Sequence, residues 1–204
     1  MKLIGMRDSP YVRRVAISMK LMGVPFEHQL LSVFRTYDQF REINPVVKAP
    51  TLVCDDGAVL MDSTLILDYI EGRVAPEKRL MPLEGMARRE ALRLHGLALA
   101  ACEKCVQVVY ENNQRPAEKR HQPWLDRVIA QASAAYAELE RAAAGASPWL
   151  QSAALNASDV VVAVTWRFGQ YYNAKHISAA LHPALVAHSR RAEALPEFLS
   201  TPLD

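Results

Sequence analysis

Residues 74–83, Val-Ala-Pro-Glu-Lys-Arg-Leu-Met-Pro-Leu, carry two prolines and no hydrophobic period, and they divide this chain into halves built on different rules. Before the break, short apolar runs alternate with short amphipathic stretches, the texture of strands with covering helices. After it, every strongly patterned segment has helical spacing. The division predicts a small mixed α/β domain over residues 1–77 and an all-helical domain over residues 85–204. A chain of 204 residues is long enough to bury a core in each.

In the first half, Lys2–Met6 reads as a strand and Pro10–Met22 as a helix, with Val12, Val15, Ala16, Met19 and Met22 on one face. Gly23 stops that helix. Phe26–Leu31 reads as a second strand and Tyr37–Ile43 as a short helix. Thr51–Cys54 and Ala58–Leu60 form a hairpin across Asp55-Asp56-Gly57, and Ser63–Arg73 follows as a helix bearing Leu65, Ile66, Tyr69 and Ile70. The order βαβ–ββα, one parallel pair plus one hairpin with helices as cover, describes a small mixed sheet.

In the second half, Gly85–Asn112 and Ala117–Ala144 read as two long helices rich in Ala, Leu, Glu, Gln and Arg, the second stopped by Gly145-Ala146-Ser147-Pro148. Asn156-Ala157-Ser158-Asp159 has the spacing of a capping box, with Leu155 and Val160 placed as a hydrophobic staple. Val160–Val164 is apolar on every side, so the helix it belongs to should be the core of its domain. Pro183–Ala194 is a last helix before a proline-punctuated tail.

A formal charge of +2 gives no pull towards nucleic acid or anionic membranes of the kind a strongly basic domain has. No apolar run approaches the roughly 20 residues a membrane helix needs, and Met1–Gly5 is too short for a secretory h-region. Three cysteines, Cys54, Cys102 and Cys105, cannot pair completely, so a cytoplasmic, reducing location is expected.

Ser9 stands between the first strand and a helix that begins with Pro10, the residue types of an N-cap followed by a first-turn proline. The same hydroxyl can face a ligand while the helix amides favour an anion. Tyr11 is a rival hydroxyl and Arg13 a candidate cationic neighbour. Asp62 and Ser63 open the last helix of that half, either as its cap or as an anion site. Cys102-Glu103-Lys104-Cys105 lies inside a predicted helix with no second CxxC or histidine pair, so it reads as core or subunit contact, and no metal site is indicated. The six histidines are scattered, and GxGxxG, P-loop and GxSxG patterns are absent. Tyr110 and Trp166 are helix aromatics that serve as core or as pocket lining.

Four patterns, in order along the chain, resemble those of the cytosolic glutathione transferase superfamily. Ser9-Pro10-Tyr11-Val12-Arg13-Arg14 is similar to the S-P-[FY]-V-R-[KR] start of a serine-type bacterial group. Asn44-Pro45-Val46-Val47-Lys48-Ala49-Pro50-Thr51-Leu52 resembles the N-P-x-x-K-V-P-x-L segment that holds the family's cis-proline. Asp62-Ser63-Thr64-Leu65-Ile66-Leu67-Asp68-Tyr69 resembles the [ED]-S-x-x-I-x-x-Y helix start, and Asn156–Asp159 the S/T-x-x-D box. Ala49 replaces the commoner valine and Asn156 the commoner Ser or Thr.

The resemblance implies a thioredoxin-like glutathione-binding domain followed by an all-helical glutathione transferase domain. Its task would be to keep the glutathione sulfur ionised. A free thiol titrates near pKa ~8.5, and lowering it by two units takes about 2.7 kcal/mol of differential stabilisation. Ser9 would donate to that sulfur. Ala49, ahead of a cis Pro50, would pair its backbone with the cysteinyl backbone of glutathione. Ser63 would take the γ-glutamyl carboxylate, with Asp62 facing its ammonium. Lys48, or less directly Arg35, would meet the glycyl carboxylate. The implied activity is conjugation of glutathione, as co-substrate, to a small hydrophobic electrophile held between the domains against the first half of the Gly85–Asn112 helix, a detoxification role. A glutathione-dependent dehalogenase or peroxidase and a non-catalytic protein-interaction module are the alternatives. A homodimer is implied, without metal, nucleic acid or membrane.

Overall fold

The structure, a computed structural model, describes residues 1–146 and 148–203. Ser147, part of the expected helix stop, lies outside the described residues. The chain divides into two compact units: Met1–Leu80 with the tail from Leu195 onward, and Met81–Ala194.

The first unit runs β1 (Lys2–Ile4), α1 (Pro10–Leu21), β2 (Glu27–Gln29), α2 (Tyr37–Ile43), β3 (Thr51–Val53), β4 (Val59–Met61) and α3 (Ser63–Glu71). Its sheet has the order β2-β1-β3-β4, with β1 parallel to β2 and the other pairs antiparallel. Successive residues of a strand face opposite sides. Leu3 packs with Val12, Val15, Met19, Leu52, Ile66 and Ile70 on one side, and Ile4 packs with Leu31 and Phe40 on the other. Leu3 and Ile4 are both fully buried, so the sheet is covered on both faces. The strands are shorter than the apolar runs that announced them. Gly5 takes φ +150° and ends β1 after three residues.

The tail of the chain returns to this unit. Residues 74–83, expected as a plain linker, include a 3₁₀ turn at Pro76–Lys78, and the tail holds a short helix, Pro196–Leu199. Phe198 of that helix is fully buried, with the Arg13 guanidinium 5.6 Å from its ring centre.

The second unit consists of α4 (Gly85–Asn113), α5 (Gln122–Ala144), α6 (Ala157–Asn173) and α7 (Pro183–Glu193), with α4 packed on α5 and α6, and α6 on α7. Each residue from Val160 to Val164 is fully buried. The capping box is present, with the Asn156 side chain and Asp159 carboxylate bonded reciprocally to backbone amides. The helix expected over Ala117–Ala144 is corrected to a 3₁₀ turn at Ala117–Lys119 and a helix from Gln122. Pro123 explains the break, because a proline that lacks N–H fits the first turn of a helix and not its interior. Among the described residues no helix is long and apolar enough to cross a membrane. The tail helix completes the numbering as α8.

Candidate functional site

The loop from β1 to α1 delivers Ser9 to the start of α1. Ser9 is the N-cap, its Oγ accepting a long 3.4 Å bond from the Val12 amide, and it is 8% exposed. Its own O–H donates to no group among the described residues. The cap and the ligand-facing hydroxyl are therefore compatible in one residue.

Gly5 sets what lies beside that turn. A Cβ there would stand 2.4 Å from Val12 Cγ2 and 3.3 Å from Ala49 Cβ, so only glycine lets α1 and residue 49 close in on the end of β1. The Ala49–Pro50 peptide is cis. The loop carrying it is fixed by buried polar groups. Asn44 Nδ2 donates to Thr51 Oγ1 at 2.8 Å, Thr51 Oγ1 donates to the Lys48 carbonyl at 2.7 Å, and Asn44 Oδ1 accepts from the Val46 amide at 3.0 Å. Among the described residues the Ala49 backbone N–H and C=O have no partner.

The third element is the start of α3. Asp62 caps it at φ +75°, accepting from the Thr64 amide at 2.9 Å, and Lys48 Nζ lies 3.7 Å from its other carboxylate oxygen. The positive φ, rare for a non-glycine residue, turns the chain sharply so that Ser63 enters the helix 4% exposed. The Ser63 amide donates to nothing among the described residues, as the first amides of a helix do.

Lys48 and Asp62 are thus brought together, and Val12 of α1 and Ala49 both flank Gly5. Arg13 is turned to the tail, with 1% exposure and its Nε donating to the Thr201 carbonyl at 2.7 Å. Arg35 is exposed in the loop before α2, its backbone amide donating to Ser32 Oγ at 3.1 Å. Tyr11 is half-buried on the first turn of α1. A residue that sequence reasoning passed over is Arg14. It is 3% exposed, and its Nη1 donates to Ser63 Oγ at 3.1 Å and Thr64 Oγ1 at 3.2 Å. Its place in the Ser9–Arg14 pattern was the available signal.

Two helix starts, one at Ser9 and one at Ser63, and an unpaired stretch of backbone at Ala49 suit an extended peptide-like ligand with anionic groups. Known proteins bear on this. A family model for the glutathione S-transferase N-terminal domain matches residues 3–78. Glutathione S-transferase U4 of Arabidopsis thaliana is 37% identical over 70 residues, 34% of this chain and 31% of that protein. A glutathione S-transferase from Methylobacterium radiotolerans, solved with glutathione sulfonate, is 27% identical over 98% of this chain and 93% of its own, with a TM-score of 0.90. A glutathione transferase family member from Pseudomonas fluorescens, solved with glutathione, is 29% identical over 100% of this chain and 98% of its own, with a TM-score of 0.87. The first unit belongs to the glutathione S-transferase N-terminal domain family, and the chain as a whole has the glutathione S-transferase fold. The chain spans about a third to a half of the length of the curated relatives it matches.

In this glutathione transferase fold the remaining candidates lie in the helical unit. Cys102 and Cys105 are buried at 0% and 1% exposure. Burial pushes the Cys105 thiol up to about 11, against a smaller opposite effect of the Tyr136 hydroxyl 3.8 Å away. A thiol so held is not a nucleophile near neutral pH. Trp166 is buried and packs edge-on to Tyr136, whereas Tyr110 is exposed. Among the described residues no His, Cys, Asp or Glu cluster could hold a metal.

Proposed function

We propose that the first unit binds glutathione in an extended pose and that the protein transfers its sulfur to an electrophilic carbon of an apolar compound. The observation that carries this reading is the presence, in one unit, of three polar positions with unused capacity. These are the Ser9 O–H at the start of α1, the Ala49 backbone beside Pro50, and the Ser63 amide at the start of α3.

In this reading Ala49 pairs with the cysteinyl backbone, as an added strand would at a sheet edge. The γ-glutamyl carboxylate sits on the Ser63 amide and hydroxyl, where the α3 dipole favours negative charge. Asp62 faces the ammonium, and Lys48 the glycyl carboxylate. The sulfur then falls beside Ser9. The thiol gives its proton to solvent, and the Ser9 O–H and the first amides of α1 hold the thiolate. The sulfur lone pair forms the new C–S bond while the leaving group departs with its bonding electrons. Similar proteins captured with glutathione and with glutathione sulfonate support the choice of ligand. The same reading includes a two-fold homodimer and a reducing, cytoplasmic setting, the latter supported by three buried cysteines of which none is in a disulfide.

Ser9→Ala tests the assignment. Glutathione affinity, measured by calorimetry, should stay within about threefold, while turnover of a chlorodinitrobenzene should fall about 100-fold, the cost of removing one preorganised donor from a developing or held anion. Unchanged turnover would falsify the role given to Ser9.

A further inference from the structure

The flank of the first unit holds a cavity that the glutathione reading leaves unused. It has a volume of about 370 Å³ and lies among α1, β2 and the tail. Arg7, Lys20 and His28 bring basic groups to it, Ser200 and Thr201 bring hydroxyls, and no acidic side chain lines it. None of these residues is a candidate for the sulfur, peptide or carboxylate contacts above. We propose that this cavity binds a small anion bearing phosphate or carboxylate groups, with Arg7 and His28 as its donors and Lys20 as a fixed positive charge.

The partners of Lys20 and His28 support this division of roles. Lys20 Nζ spends its three protons on neutral acceptors: the Ser200 carbonyl at 2.8 Å, Ser200 Oγ at 2.9 Å and Thr201 Oγ1 at 2.8 Å. It has no donor left for a ligand, but its charge is not cancelled by a carboxylate in contact. His28 Nε2 lies 3.0 Å from the Gly5 carbonyl, which assigns the proton to that nitrogen and leaves Nδ1 for the cavity. Protonation turns Nδ1 into a second donor. Arg7 is exposed at the rim. Val24, Pro25 and Phe26 supply an apolar wall, so a ligand with a short carbon skeleton fits better than a bare ion.

The electrostatics agree. Burial, then the charges of Arg7 and Lys20, hold His28 below its ordinary value against the Gly5 bond, and burial lowers Lys20 despite Glu197. The charged groups around His28 are Arg7 on the β1–α1 loop, Lys20 on α1, Glu197 on α8 and, next along β2, Glu27, which pairs with Lys2. An anion placed among the three basic groups relieves their repulsion and draws a proton onto His28. Binding should therefore tighten as pH falls.

Histidine-labelled protein titrated with sulfate, a tetrahedral anion whose charge is constant over this pH range, and separately with succinate, tests the site by nuclear magnetic resonance. His28 should shift saturably towards its protonated form. Affinity should fall about tenfold in Arg7→Gln, the loss of one charge-assisted bond, and again by about tenfold between roughly pH 6 and 8. Saturation by sulfate identifies a phosphate-type ligand, and saturation by succinate a dicarboxylate. An equal shift with chloride at matched ionic strength, or an undiminished affinity in Arg7→Gln, overturns the proposal.

Discussion

Arg14 reaches out of α1 to the hydroxyls of Ser63 and Thr64 at 3.1 and 3.2 Å, from a position only 3% exposed. Because Ser63 Oγ accepts from that guanidinium, its own proton is free to point outward, which is what a carboxylate ligand requires. Arg14→Gln should therefore raise the KM for glutathione about tenfold with a smaller change in kcat, since a bond to a charged group is worth roughly 1.5–3 kcal/mol. Steady-state kinetics with glutathione varied will show it, and an unchanged KM removes Arg14 from the site. His188 is the other residue whose setting makes a measurable statement. Its Nε2 is 3.2 Å from the Asp159 carbonyl and its Nδ1 3.9 Å from the Asp159 carboxylate. Burial holds it below the ordinary histidine value, although Asp159 pulls the other way and Arg191 adds to the lowering. The folded protein thus binds fewer protons than the unfolded chain below about pH 6.5, so stability is full above that value and is lost as pH falls towards the folded pKa. His28 and His176, both lowered chiefly by burial, contribute with the same sign. The urea midpoint should drop between about pH 7.5 and 5.5, and His188→Gln should flatten part of that slope.

The start of α6 is where a local pattern and the core meet. Both oxygens of fully buried Asp159 accept from backbone amides, Leu150 and Asn156, each at 2.8 Å. Asp159→Ala strands two donors, and at roughly 1–3 kcal/mol for each unsatisfied group the cost should be about 2–6 kcal/mol. Asp159→Asn, which keeps an acceptor, should lose less. Denaturant unfolding that places the two variants together would refute the box as the cause. Elements of this kind were legible in the sequence because their determinants are neighbours in the chain. Tyr37–Ile43 was read at its true bounds, and Asn156 and Asp159 announced a real cap. One error overlooked a local signal, and the other lies where distant residues decide. Pro123 was absorbed into a run of good helix formers, and the tail was read as irregular although Phe198 finds a buried seat against α1. At the site, Ser9, Ala49 and Ser63 were legible as motif residues. That Arg13 turns to Thr201 while Arg14 turns to Ser63 depends on which face of α1 each occupies in the packed unit, and the sequence does not say which partner each face meets.

For the molecule as a whole, the balance of 24 basic and 22 acidic residues leaves little self-repulsion to hold copies apart. The edge strand β4 presents Val59 at 45% and Met61 at 39% exposure, and Leu65 on the first turn of α3 is 65% exposed. An uncovered strand edge with apolar side chains is a liability that proteins ordinarily blunt with charge or cover with another surface. In the reading proposed here a second copy supplies that cover, and Leu65 is its most exposed apolar residue in this patch. Light scattering at micromolar concentration should return twice the chain mass of 22.8 kDa. Leu65→Asp should return the single mass, because a carboxylate forced into an apolar contact loses its hydration without a partner. The substitution changes no glutathione contact proposed for Ser9, Ala49 or Ser63, so retention on immobilised glutathione should survive it. Wild-type protein that scatters as one chain under those conditions would show β4 and α3 to be uncovered in solution and would remove the dimer from the reading, leaving the glutathione site to stand on its own kinetics.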